Sequence, residues 1–221
     1  MEKTKKKEFV EIEYTGYANG EMFDSNIAEN LKKINSKAKA EKTIVIIGER
    51  MVVPGLDDAL ENKEIGKDEE IALSPKDAFG ERKRELVRIV PAQLFKEKNI
   101  NPQPGMTFLL DNNLVRISSV SGGRVSVDFN NPLAGKNVKY SFKIVRKVDN
   151  LKEKAETVFK MMFRIIPEFE IKDNKVVVKG EKRLEMFVNA IRDKFKEYVG
   201  NELGFELKED KKENTEENKE K

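Results

Sequence analysis

The feature that most limits the fold lies late in the chain. Across 138–148 apolar and polar residues alternate, and Val138, Tyr140, Phe142, Ile144 and Arg146 are assigned to one face. A period of two belongs to a strand with one buried face. Such a strand must join a sheet, because its backbone groups need partners. The early chain supplies a match. Across 8–17, Val10, Ile12 and Tyr14 point one way and Glu11, Glu13 and Thr15 the other. The simplest topology is a sheet domain interrupted by an inserted module.

The first segment carries the other parts of that sheet. Asn19-Gly20 is a turn pair. Residues 26–42 read as a loop with a helical turn, and 44–47 as a strand stopped by Gly48. Pro54 opens a short helix with Asp57 and Asp58 in its first turn, where their charge suits the helix N-terminus. Leu56, Ala59 and Leu60 form its apolar side. A strand at 69–73 follows, then a turn-rich loop. Residues 86–129 read as a β-rich module. It holds a short helix after Pro91 and strands at 107–110, 114–120 and 124–129, with turns at Asp111-Asn112-Asn113 and Ser121-Gly122-Gly123.

From Leu151 the pattern turns helical. Leu151, Ala155, Val158 and Met162 share one side. A hairpin of 164–171 and 175–179 is expected about Asp173-Asn174. A second helix, 181–199, carries Leu184, Phe187, Val188, Ile191, Phe195 and Val199 and closes at Gly200. The two helices hold more apolar surface than about 55 residues bury comfortably, so a homodimer through residues 150–205 is expected. Residues 206–221 form a charged tail too polar to order itself.

Composition removes whole classes of chemistry. The 221 residues include no His and no Cys, which excludes disulfides, thiolate chemistry, histidine acid–base catalysis and ordinary zinc sites. No cofactor and no metal are expected. Lys and Arg total 43 against 40 Asp and Glu, and the signs are interspersed, which argues against nucleic acid as a partner. The longest apolar run, 44–47, falls far short of the roughly 20 residues of a membrane span, so no membrane partner is expected. No apolar stretch follows the N-terminal lysines. The chain therefore lacks a secretory signal and reads as cytoplasmic. Its dense mixed charge is of the kind found in heat-adapted, including archaeal, proteins.

Several blocks then follow in a specific order: Val10, Ile12, Tyr14-Thr15-Gly16; Gly20 with Phe23-Asp24-Ser25; Ile47-Gly48; Val52-Val53-Pro54-Gly55-Leu56-Asp57-Asp58-Ala59-Leu60; Ser74-Pro75 with Asp77-Ala78-Phe79-Gly80; and Pro132-Leu133-Ala134-Gly135 with Val138, Tyr140, Phe142 and Ile144. In these the chain resembles the FKBP family of peptidyl-prolyl cis–trans isomerases. The gap between the blocks resembles the inserted-in-flap (IF) chaperone module of the SlyD-like branch. With its C-terminal segment the layout resembles the long-type archaeal members.

The resemblance implies an α+β fold: an antiparallel half-barrel sheet wrapped on a short helix, an inserted small β-rich IF module, and a C-terminal α/β module. The implied domains are 1–85 with 130–149 for isomerisation, 86–129 for the insert, 150–205 for the C-terminal domain and 206–221 for the tail. It implies a pocket lined by Tyr14, Phe23, Val52, Val53, Leu56, Phe79 and Tyr140, with Asp24 at the rim. The chain departs from the family pattern at the pocket floor, commonly Trp and here Leu56, and at a flap position, commonly Tyr and here Phe79. In the insert, Phe95, Met106, Phe108, Leu110, Ile117 and Phe129 are the expected client-binding side chains. The implied partners are unfolded or partly folded polypeptides containing proline. The alternative is a holdase chaperone whose isomerase pocket is vestigial.

Overall fold

The structure is a computed structural model that describes residues 3–110 and 113–208. Its first elements are β1 (Phe9–Ala18), β2 (Glu21–Ser25), α1 (Ala28–Ile34), β3 (Thr43–Ile46), α2 (Pro54–Ala59) and β4 (Asp68–Leu73). An inserted run follows: β5 (Val87–Pro91), α3 (Ala92–Glu97), β6 (Thr107–Leu110), β7 (Asn113–Ser121) and β8 (Arg124–Asp128). Then come β9 (Val138–Lys147), α4 (Leu151–Phe163), β10 (Phe169–Lys172), β11 (Lys175–Gly180), α5 (Lys182–Val199) and β12 (Leu203–Leu207).

The late strand joins the early ones, as its alternation requires. β9 lies between β1 and β4, antiparallel to both. Along its other edge β1 shares its length: Phe9 to Ile12 pair with β3, and Thr15 to Ala18 with β2. One face of this five-stranded sheet packs Val10, Ile12, Val45, Tyr140, Phe142 and Ile144 against Leu56 and Leu60 of the α2 segment. Gly55 allows that approach, since a Cβ there would lie 2.4 Å from Leu73 Cδ2. Arg146 leaves the face assigned to it. Ile144 pairs with Ile12 and Arg146 with Glu11, so Val145 is bulged and the side chains beyond it change faces. Arg146 then meets Glu11 and Glu153, each at 2.7 Å.

The inserted run forms a separate four-stranded antiparallel sheet in the order β5-β8-β7-β6. Its own core gathers Phe95, Val115, Ile117, Val125 and Val127. β5 goes beyond the strands expected from the sequence. Its residues, Val87 to Pro91, hold three exposed positions and no long alternation. The expected turn at Asp111-Asn112-Asn113 involves residues outside those described.

The C-terminal sheet runs β10-β11-β12, with β12 parallel to β11. The expected hairpin is present, but its first strand is only Phe169–Lys172, because Pro167 cannot donate to a ladder. α5 ends as expected, with Gly200 at φ 83°. β12 was not expected, and it corrects the start of the charged tail: Glu206 and Leu207 pair with β11, and Leu203, Phe205 and Leu207 alternate with Gly204 and Glu206. Residues 209–221 of the charged tail lie outside the described residues.

The premise for the homodimer needs correction. Phe9, Ile46 and Val148, on the other face of the first sheet, share a core with Ala155, Val158, Phe159, Val188, Phe195, Val199 and Leu203. The helices therefore bury much of their apolar surface within the chain. Phe187, assigned to the inner face of α5, is instead 54% exposed, beside exposed Met186. Among the described residues, no helix is long and apolar enough to cross a membrane.

Candidate functional site: an aromatic cluster with one carboxylate

The site starts from β1, which turns Tyr14 toward one face and leaves Gly16 two residues on. A Cβ on Gly16 would lie 2.7 Å from Phe23 Cζ and 3.0 Å from Tyr140 Cε1. Only a glycine lets both rings settle over the β1 backbone. Phe23 comes from β2, and its ring meets Tyr140 edge-on at 5.8 Å between centroids and Phe79 edge-on at 5.6 Å. Tyr14 and Tyr140 lie 6.1 Å apart. Edge-to-face pairs at such distances are attractive by about 0.5–1.5 kcal/mol each beyond their buried area.

Local hydrogen bonds hold this arrangement. Asn26 clips the middle of β1, between its β3-paired and β2-paired stretches: its Oδ1 accepts from the Tyr14 N–H at 2.8 Å, and its Nδ2 donates to the Ile12 carbonyl at 2.7 Å. The Tyr14 hydroxyl donates to Asp24 Oδ2 at 3.1 Å. Burial, and then the Asp24 charge, push the Tyr14 phenol well above its ordinary value. The same two causes push Tyr140 up to about 12. Both phenols are therefore neutral near pH 7 and can donate hydrogen bonds.

The opposite wall comes from the loop 48–53 and from α2. Leu56 is buried in the same core, which also contacts Tyr14, Phe23, Val52, Val53 and Phe79. Asp57 lies in the first turn of α2, as expected, and has a further role. It is fully buried, and its two oxygens accept from the Gly48 N–H at 3.0 Å and the Arg50 N–H at 2.9 Å. Gly48 and Arg50 are both left-handed, at φ 92° and 55°. The carboxylate thus fixes a tight loop that delivers Val52 and Val53. Gly16, Asn26 and Asp57 support the site, and the sequence reading assigned none of them a site role. Gly16 and Asp57 stand within the ordered blocks of the sequence, where a glycine inside an alternating strand is the signal of a close approach.

Of the residues expected at the pocket, Tyr14, Phe23, Val52, Val53, Leu56, Phe79 and Tyr140 belong to one apolar core, and Asp24 is tied to it through Tyr14. The expected client-binding set divides. Phe95 and Ile117 are buried at 7% and 0% exposure, and this corrects their placement on a client-facing surface. They are core because the module, though small, needs an apolar centre to hold its sheet. Phe108, Leu110 and Phe129 are half-buried against that core, and Met106 is exposed. Ile89, Leu94, Leu109, Leu114 and Val120 of the insert are exposed apolar side chains as well. Leu109 and Leu114 are directly paired across β6 and β7. A groove of about 740 Å³ runs between this module and the returning chain, lined by Arg82, Leu114, Arg116, Asn130, Pro132 and Lys136 among others. It is separate from the aromatic cluster.

Comparison with known proteins gives two family matches. Residues 1–95 match the family model "FKBP-type peptidyl-prolyl cis-trans isomerase", and residues 88–133 match "FKBP26, IF domain". A "Short-type peptidyl-prolyl cis-trans isomerase" of Methanocaldococcus jannaschii is 29% identical over 143 residues, covering 63% of this chain and 91% of that relative. The "FKBP-type peptidyl-prolyl cis-trans isomerase SlyD" of Helicobacter pylori is 29% identical over 150 residues, covering 66% of this chain and 74% of the relative. The Vibrio cholerae protein of the same name is 34% identical over 102 residues, covering 44% and 50%. With Tyr14, Phe23 and Phe79 of the aromatic cluster inside the first matched range, residues 1–95 carry the match to the FKBP-type peptidyl-prolyl cis–trans isomerases, and the chain is similar to their SlyD-like members.

Proposed function

We propose that this protein accelerates X–Pro isomerisation in unfolded polypeptides by binding the twisted imide within the aromatic cluster. The reading assigns this work to a discontinuous domain, 1–85 with 130–149, whose sheet curves round α2 as a half-barrel. Residues 86–129 act as a client-binding domain and 150–205 as a third domain. The observation that carries the reading is the ring set of Phe23, Phe79 and Tyr140, with Asp24 bonded to Tyr14 at its margin.

The chemistry suits these residues. Rotation about an X–Pro bond must overcome amide resonance of about 18–20 kcal/mol. No bond to another atom forms or breaks, so no nucleophile is needed. In the half-rotated state conjugation is lost and charge separation falls. An apolar, water-poor wall therefore favours the twisted imide over the planar one. Val52, Val53, Leu56 and Phe79 supply that wall. The Val53 N–H holds the peptide backbone. Asp24, freed from the Tyr14 hydroxyl, faces the rotating carbonyl. The half-buried and exposed apolar residues of the insert hold a client beside the cluster and raise the local concentration of its prolines.

The holdase reading draws on a separate observation, the exposed Ile89, Leu109 and Leu114. A short X–Pro peptide separates the two. The isomerase reading expects exchange to speed up with protein concentration. Suppressed aggregation of an unfolded client without faster exchange supports the holdase instead. Pairing of two copies through 150–205 is proposed to use Met186 and Phe187, the part of α5 left uncovered.

A further inference from the structure

The loop 48–53 is held from two sides. On one side Asp57 of α2 takes the N–H groups of Gly48 and Arg50. On the other, the hydroxyl of Tyr198, in the last turn of α5, donates to Glu49 Oε2 at 2.7 Å. Met51, two residues on, packs against both the aromatic-lined core and the C-terminal core. The next side chains, Val52 and Val53, wall the aromatic cluster. A second tie runs beside the first: Lys7 Nζ meets Glu197 at 2.6 Å, and the Lys7 N–H donates to the Ile47 carbonyl at 2.9 Å.

From this geometry we propose that Tyr198, acting through Glu49, is a positioning residue for the pocket wall at Val52 and Val53. The C-terminal module would then set the geometry of the isomerase site. The inference rests on the isomerase reading above. A short loop with two left-handed residues keeps one conformation only where its surroundings over-determine it. A hydroxyl bonded to a carboxylate is among the stronger neutral-to-charged contacts. Burial, and then the bond to Glu49, push the Tyr198 phenol up to about 12, so the donor keeps its proton near pH 7. The Val53 N–H, which holds the peptide backbone, serves planar and twisted substrate alike, so a slight shift of this segment weakens binding more than turnover.

The test uses full-length protein and a short X–Pro peptide. Tyr198→Phe removes the hydroxyl and keeps the ring. It is expected to raise KM about three- to tenfold while kcat stays within about twofold. The methyl resonances of Val52 and Val53 should move, and those of Val125 and Val127 in the insert should stay. Glu49→Ala should reproduce this result. Glu49→Gln, which retains an acceptor oxygen, should largely preserve KM. Unchanged KM with unmoved Val52 and Val53 signals in Tyr198→Phe overturns the proposal, and so do equal losses in the Gln and Ala variants. An inactive wild-type protein would overturn the isomerase reading instead, and the resonances would still decide whether α5 positions the loop.

Discussion

At the scale of single residues, the site depends on what stands beside each ring. Phe23 touches both Phe79 and Tyr140, so Phe23→Ala removes the wall and two edge-on contacts together. Turnover on a short X–Pro peptide is expected to fall about tenfold or more, equivalent to about 1.4 kcal/mol of barrier. Asp24→Ala is expected to lower it several-fold with the fold intact by circular dichroism. Wild-type rates in both variants would remove these residues from the site. Gly16→Ala forces a Cβ into Phe23 and Tyr140. The overpacking should cost about 1–3 kcal/mol in urea unfolding and lower turnover as well. A neutral result in both would mean the rings shift aside freely. Tyr140 makes a pH prediction. Its folded-state value is raised from 10.0 to about 12, so its neutral form contributes stability that is complete below pH 10 and lost as pH rises toward about 12. Unfolding free energy measured across that window should decline less steeply in Tyr140→Phe than in the wild type.

At the scale of elements, the short helix α2 does more than fill the sheet. Through Asp57 it holds the loop that brings Val52 and Val53 to the rings. Asp57→Asn keeps one acceptor and turns an NH2 group toward a backbone donor. A loss of about 1–3 kcal/mol of stability is expected, with a rise in KM. Thermal unfolding of the variant at the wild-type temperature would show that solvent already satisfies those N–H groups. The insert is a second separable element, because its core of Phe95, Val115, Ile117, Val125 and Val127 belongs to it alone. Its two connecting segments are pinned by Asn130, whose side chain bonds both the N–H and the carbonyl of Lys83. Replacing 86–129 with a short turn should spare turnover on a short peptide and slow proline-limited refolding of a protein client. Equal losses on both substrates would mean that the insert supports the sheet.

At the scale of the whole molecule, the C-terminal segment is part of the first sheet's packing. Phe9, Ile46 and Val148 are buried beneath α4 and α5, and each is worth on the order of 1.5–3 kcal/mol when fully covered. The apolar surface left for a second copy comprises Met186 and Phe187 of α5 together with Ile165, Ile166, Ile171 and Leu207. Sedimentation of the full chain is expected to show a dimer that Phe187→Glu dissociates. A monomeric wild type would end the pairing.

The alternation of 8–17 and 138–148 was enough to place two distant strands in one sheet with a module between them, because a period of two leaves a strand one buried face and a ladder to complete. The rings and Asp24 were named through the resemblance that the ordered blocks carry, since alternation alone does not say which side chains share a pocket. Other features depended on packing. The bulge at Val145 turned Arg146 away from the core, and β12 found its place only beside β11. Phe95 and Ile117 became core because the insert had to build a centre of its own. Asp57 became a loop anchor because Gly48 and Arg50 turned their N–H groups toward it. A hydrophobic pattern states that a side chain will leave water but not which neighbour will cover it, and a carboxylate's role depends on donors that only the closed chain brings near. The same limit hid the contact of Tyr198 with Glu49, which joins residues far apart in sequence and lies on the path to the pocket wall.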